Sequence, residues 1–164
     1  TLSTKSIQSA IDEAPAGATV TIPAGHFISG SIFVKTGVTL FLEAGALLQA
    51  SGDPDQFEPE QRAFIVVENA ENVKLNGRGT IDGSGAFLRH LTGESGRLLS
   101  IRDSRNVTVE GLILRNARAW HTHIIRSEHV TVRDVKVLND RYVFNTDGIN
   151  PDSSRHVLIE DTLF

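Results

Sequence analysis

The chain of 164 residues has no cysteine, which excludes disulfides, thiolate zinc sites and cysteine nucleophiles together. It has no methionine either. A translated chain starts with one, so the reading is of a fragment or a trimmed chain whose first residue, Thr1, is not the native start. Aromatic residues are few, with one Trp and one Tyr. No apolar run approaches the roughly 18 residues of a membrane span. Positive charge is not in excess: the net charge is −4, which argues against general affinity for nucleic acid. What is present is a chain of 40% hydrophobic and 22% charged residues, enough for one domain with a real core. The charge is uneven. Residues 1–82 hold five Lys/Arg against ten Asp/Glu, and residues 83–164 hold eleven against ten. A solvated mixed surface explains this, and local tolerance of an anionic ligand in the second half is the sharper alternative.

The main organising signal is repetition. Ile65–Gly77, Leu99–Gly111, His123–Asp134 and Asn150–Asp161 each carry Asn or His, then Val, any residue, an aliphatic residue, any residue, and Gly or Asp. A weaker copy is Thr36–Leu42. The shared valines Val38, Val73, Val107, Val130 and Val157 are 35, 34, 23 and 27 residues apart. Inside each copy the apolar period is two, as in Val107/Val109 and Val130/Val132, which is the period of a strand with one buried face. A polar turn precedes each valine and a second short strand follows it, as in Leu112–Leu114 and Val135–Leu138. Short strands that repeat one register without intervening helices predict an all-β fold, a right-handed single-stranded parallel β-helix of four to five coils with the valines stacked inward. An antiparallel β-sandwich is the competing reading, and it has no need of a common register.

The ends read differently. Ser3 or Thr4 starts a helix of about ten residues, with Ile7, Ala10, Ile11 and Ala14 on one face and Pro15 as its stop, suited to capping the first coil. A polar loop is expected over 51–62, and the longer spacings imply inserted loops that wall a cleft. Val157–Phe164 is a strand pattern that stops mid-coil. Residues 1–164 are therefore read as the N-terminal portion of one β-helix domain, cut before its later coils.

The densest polar block is Tyr142–Ser154. Alone, Asn145-Thr146-Asp147-Gly148 is a turn signal. One coil earlier stands Trp120-His121-Thr122-His123, and aligning His129 with His156 places His123 beside Asn150 on adjacent coils, about 4.8 Å apart. An aromatic ring, an imidazole, an amide and a carboxylate on one surface suit a sugar. Other candidates stay structural. Gly77–Asp82 lacks the third glycine of a dinucleotide loop, and Asn106-Val107-Thr108 is a glycosylation match inside a strand. His121 and His123 are a weak metal pair. Asp103, Asp134 and Asp161 are expected to cap corners, and Asn72, Asn106, His129 and His156 to form a turn ladder.

These residues resemble glycoside hydrolase family 28, the polygalacturonases and their relatives among the pectin-lyase-like β-helices. The resemblance runs through Ser6–Asp12, Val20–Gly25, Ser29–Ile32, Leu42–Leu48, Gly77–Gly83 and, most specifically, Asn145–Ser153. It implies inverting hydrolysis of galacturonosyl bonds in pectic or related acidic polysaccharide, with no metal and no cofactor. It implies Asp147 as a catalytic aspartate that helps activate water and Asn145 as the residue that orients it and binds substrate; the coil alignment adds His123 and Asn150 as substrate-binding residues. Asn150 stands where many relatives have a further aspartate. The family's paired aspartate, Gly-His-Gly and Arg-x-Lys are not in this chain, so the chain alone is expected to be inactive. The resemblance further implies a secreted or periplasmic protein acting at the cell wall, a monomer in its full-length form, with a pectin-like polysaccharide as partner and neither nucleic acid nor membrane. A β-helix polysaccharide lyase and a non-catalytic glycan-binding β-helix, adhesin-like or tailspike-like, are the alternatives.

Overall fold

The computed structural model describes residues 2–58, 63–92 and 96–164. Residues 59–62 of the expected polar loop lie outside the described residues. The chain opens with helix α1 (Thr4–Glu13), which buries Ile7 and Ile11 against the first coil. Ala10, expected on that face, is exposed.

Among the described residues, fifteen strands then wind through five coils. They are β1 (Thr19–Ile22), β2 (Gly25–Ser29) and β3 (Ile32–Phe33); β4 (Thr39–Leu42), β5 (Ala46–Ala50) and β6 (Ala63–Glu68); and β7 (Glu71–Gly77), β8 (Thr80–Asp82) and β9 (Arg97–Arg102). Next come β10 (Arg105–Glu110), β11 (Ile113–Arg115) and β12 (Trp120–Ile125), then β13 (Glu128–Arg133), β14 (Lys136–Leu138) and β15 (Ile149–Asp152). β16 (Arg155–Glu160) begins a sixth coil. Every strand pairs in parallel with its counterpart one coil away. Three sheets result: β1-β4-β7-β10-β13-β16, then β2-β5-β8-β11-β14, and β3-β6-β9-β12-β15. This is the right-handed parallel β-helix, and the antiparallel sandwich is excluded.

The core is a set of aliphatic columns. Val73, Val107, Val130 and Val157 are register partners in the first sheet, and Val73, Val107 and Val130 are buried. Ile32, Ile65, Leu99, Thr122 and Ile149 form a column in the third sheet. Each coil bends at residues held in the left-handed region. The position before the valine is Gly37, Asn72, Asn106, His129 or His156, with φ of 76°, 57°, 54°, 55° and 55°, so the expected ladder exists. Asn106 Nδ2 donates to Asn72 Oδ1 on the coil before it. Gly, Asn and His are among the residues that tolerate this conformation. At Gly77 only glycine fits, because a Cβ would sit 2.0 Å from the Leu42 carbonyl oxygen.

A second ladder was not anticipated from sequence. Ser104, Ser127 and Ser154 occupy the turn after the third sheet, and each hydroxyl donates to the carbonyl two residues earlier, of Arg102, Ile125 and Asp152. Each also accepts a backbone N–H from the preceding coil, from Ala70, Ser104 and Ser127. Corner amides that the sheets leave over are thereby satisfied. Asp103 corrects its expected role. Instead of capping its own turn, its two oxygens accept from Arg126 Nε and NH2 at 2.7 and 2.6 Å across coils. The long spacing between Val73 and Val107 contains a helix, α2 (Gly85–Thr92), where only a loop was expected.

Candidate active site

The site is built on the outer side of the third sheet, where β9, β12 and β15 lie side by side. Register pairs His123 with Asn150, as the repeat alignment requires, and Trp120 with Arg97. The segment before β15 is part of the ladder although it lies outside the strand. The Asp147 carbonyl accepts the His121 N–H at 2.8 Å, and the Gly148 carbonyl accepts the Thr122 N–H at 3.0 Å. The backbone of Asp147 is thus fixed to β12, while its side chain is exposed. Its carboxylate Oδ2 accepts from Asn150 Nδ2 at 3.0 Å. A turn aspartate would bond its own backbone two residues on; this carboxylate instead bonds a side chain and faces solvent.

Asn145 adopts φ of 59°, a conformation asparagine tolerates, and its Oδ1 accepts from Trp120 Nε1 at 2.9 Å. The exposed loop that carries it is also fastened by Thr146 Oγ1, which donates to the Val143 carbonyl at 2.8 Å. Trp120 has the Arg97 guanidinium over its ring, 4.2 Å from the centroid, and His123 edge-on at 4.9 Å. Arg97 covers one face of the ring. What this surface presents is a guanidinium backed by an aromatic ring.

The ring nitrogens of His123 face groups other than Asn150, its strand partner. Arg97 Nε donates to His123 Nδ1 at 3.3 Å, so Nδ1 is the acceptor and the proton sits on Nε2, which lies 3.7 Å from Asp152 Oδ2. Burial, and then the Arg97 charge, hold His123 below the ordinary histidine value, against the pull of Asp152. His123 is a neutral polar contact, and not a cation, at neutral pH. Burial also lowers Arg97, while Asp147 opposes that shift. The opposition shows that the Asp147 carboxylate and the Arg97 guanidinium share one electrostatic neighbourhood.

His121 is fully buried and depressed by desolvation. Its Nδ1 lies 3.2 Å from the Asp147 carbonyl and must carry the proton there. His121 Nε2, Thr122 Oγ1 and Asn150 Oδ1 are buried without partners. Such atoms cost about 1–3 kcal/mol each, and all three belong to β12 and β15. Sequence reading missed Arg97 and Asp152. The signal available for Arg97 was the repeat itself, because the register that aligns Leu99 with Thr122 also sets Arg97 against Trp120. A roomy depression on the first sheet, lined by Gly37, Thr39, Asn72, Lys74, Asn106 and Thr108, has no carboxylate in its wall, so the chemistry points to the third sheet.

Comparison with known proteins agrees with this fold. The family model of Glycosyl hydrolases family 28 matches residues 13–164. A probable polygalacturonase of Vitis vinifera is 30% identical over 98% of this chain and 38% of its own length. The solved polygalacturonase of Erwinia carotovora ssp. carotovora superposes with a TM-score of 0.90 at 26% identity, over 99% of this chain and 52% of the other. The family 28 exopolygalacturonase of Yersinia enterocolitica superposes at 0.91 with 23% identity, over 100% and 40%, which speaks for the fold. The chain spans about half or less of the length of these relatives.

Proposed function

The chain belongs to glycosyl hydrolases family 28, and from that premise we propose that it forms part of a polygalacturonase-like hydrolase of pectic or related acidic polysaccharide. The observation that carries the proposal is Asp147. Its backbone is bolted to β12, its carboxylate is exposed, and it is aimed by Asn150 Nδ2. In the reaction, water adds to the anomeric carbon as the glycosidic C–O bond breaks. Asp147 takes part in removing the proton from that water, and a second carboxyl delivers a proton to the leaving oxygen. Inversion requires those carboxyl groups to stand about 6.5–9.5 Å apart. We assign the second carboxyl to a further coil stacked on β15 and β16, in keeping with relatives of which this chain covers only 38% and 52%.

Asn145, His123 and Asn150 are proposed as the substrate contacts. Asn150 Nδ2 holds the Asp147 carboxylate at that surface. Asn145 holds Trp120 in place. His123, kept neutral, offers a donor beside Asp152. The Arg97 guanidinium supplies the positive charge that an acidic glycan needs near Asp147.

No helix among the described residues is long and apolar enough to cross a membrane. We place the protein outside the cytoplasm, secreted or periplasmic, because a cell-wall polysaccharide is found there, and take it to act as a monomer. Reducing-sugar release from polygalacturonate tests the reading. The 164-residue chain alone should release none, and a longer chain that adds the following coils should release it without added metal. Release that requires calcium and yields unsaturated ends would replace hydrolysis with lyase chemistry. Binding without any cleavage by the longer chain would leave a glycan-binding β-helix.

A further inference from the structure

Away from Asp147, on the outer side of the first sheet, we infer that Glu128, His129 and His156 form a surface site for a borderline divalent metal ion of the zinc class. The inference goes beyond the hydrolase reading and does not depend on it, because it concerns a different sheet. His129 is the second residue of β13 and His156 the second of β16. The register that pairs Glu128 with Arg155 puts these imidazoles on top of one another. Their ring centroids are 4.7 Å apart and their planes 8° from parallel. Both backbones hold φ of 55°, so two identical corners project two identical side chains in one direction.

Glu128 completes the set. One ring nitrogen from each histidine and one carboxylate oxygen all lie within 4.8 Å of one another. Glu128 Oε1 is already 3.2 Å from His129 Nε2. With metal–ligand bonds of about 2.0–2.2 Å, two ligand atoms on one tetrahedral zinc are roughly 3.4 Å apart. The Glu128–His129 pair has that spacing, and His156 has only to turn on its exposed side chain. Two imidazoles and one carboxylate are the donor types that suit zinc, whereas magnesium and calcium prefer oxygen alone. Three protein ligands leave a position for water.

Arg155 opposes the ion. Its NH2 donates to Glu128 Oε2 at 2.8 Å, so the carboxylate that would ligate the ion is shared with a cation. The other two non-glycine rungs of the column are Asn72 and Asn106, with the same positive φ. Asparagine is thus a proven substitute for the ladder at positions 129 and 156. It removes the imidazole and keeps the corner.

Zinc chloride is titrated calorimetrically into the purified, tag-free chain, with magnesium chloride as the control. The expected result is one zinc per chain and no heat from magnesium. His129→Asn and His156→Asn should each weaken zinc binding by at least about tenfold, the lower end of what loss of even a supporting group costs a metal site, with an unchanged circular-dichroism spectrum. Arg155→Gln should tighten binding by freeing Glu128. No zinc binding by the parent chain, or equal binding by the folded His129→Asn and His156→Asn variants, would overturn the site. Unchanged affinity in Arg155→Gln would remove Glu128 from it.

Discussion

The first and third sheets are built on the same parallel register, yet they use it differently. In the first sheet the inward columns repeat one kind of residue from coil to coil, such as valine at 73, 107, 130 and 157, and a left-handed Asn or His stands just before each valine. In the third sheet the columns change character at β12 and β15. Thr122 replaces the aliphatics of Ile65 and Leu99, and Ser100 gives way to His123 and then Asn150. The cost is visible, since His121, Thr122 and Asn150 each bury a polar atom without a partner. Repetition in a solenoid is what stacking demands. The third sheet departs from that repetition at β12 and β15, the strands that carry His123 and Asn150.

Breaking the repeating part should cost most stability. Leu99→Ala empties the third-sheet column beneath the site, where Leu99 is fully buried. It should lower unfolding free energy by about 2–5 kcal/mol, as large-to-small core changes do, measured by urea denaturation. Next comes the serine ladder. Ser127→Ala strands the buried Ser104 N–H, which now donates to Ser127 Oγ at 3.1 Å, and should cost about 1–3 kcal/mol.

A smaller effect is expected where the columns depart from the repeat. His121 and His123 both titrate below their unfolded value of about 6.5. The unfolded chain therefore binds protons first as pH falls. Their contribution to stability is complete above about pH 6.5 and is lost as pH drops through the folded values. Arg97→Gln removes the charge that helps depress His123, so the His123 titration followed by NMR should move up toward the ordinary value. No movement would show that Arg97 does not act on His123.

Much of this was legible in the sequence because a repeat carries its own register. One alignment of His129 with His156 placed His123 beside Asn150 and stacked the valines. What escaped has no repeat behind it. Helix α2 lies in an insertion, and Asp152 reaches His123 only because both project from neighbouring strands. The serines were legible as turn residues but not as a ladder, because their bonds run between coils 23 to 34 residues apart. The covering of Trp120 by Arg97 depends on side-chain direction, which spacing alone does not supply.

The backbone of Asp147 is held by the fold, but its exposed carboxylate should not be needed for it. The direct test is Asp147→Asn in a chain long enough to be active, with reducing-sugar release and urea denaturation measured on the same preparation. The expected result is an activity loss of about 10²–10⁴-fold, the usual contribution of general acid–base help, and a stability change within about 0.5 kcal/mol. Retained hydrolysis with a clear loss of stability would make Asp147 a structural turn residue instead.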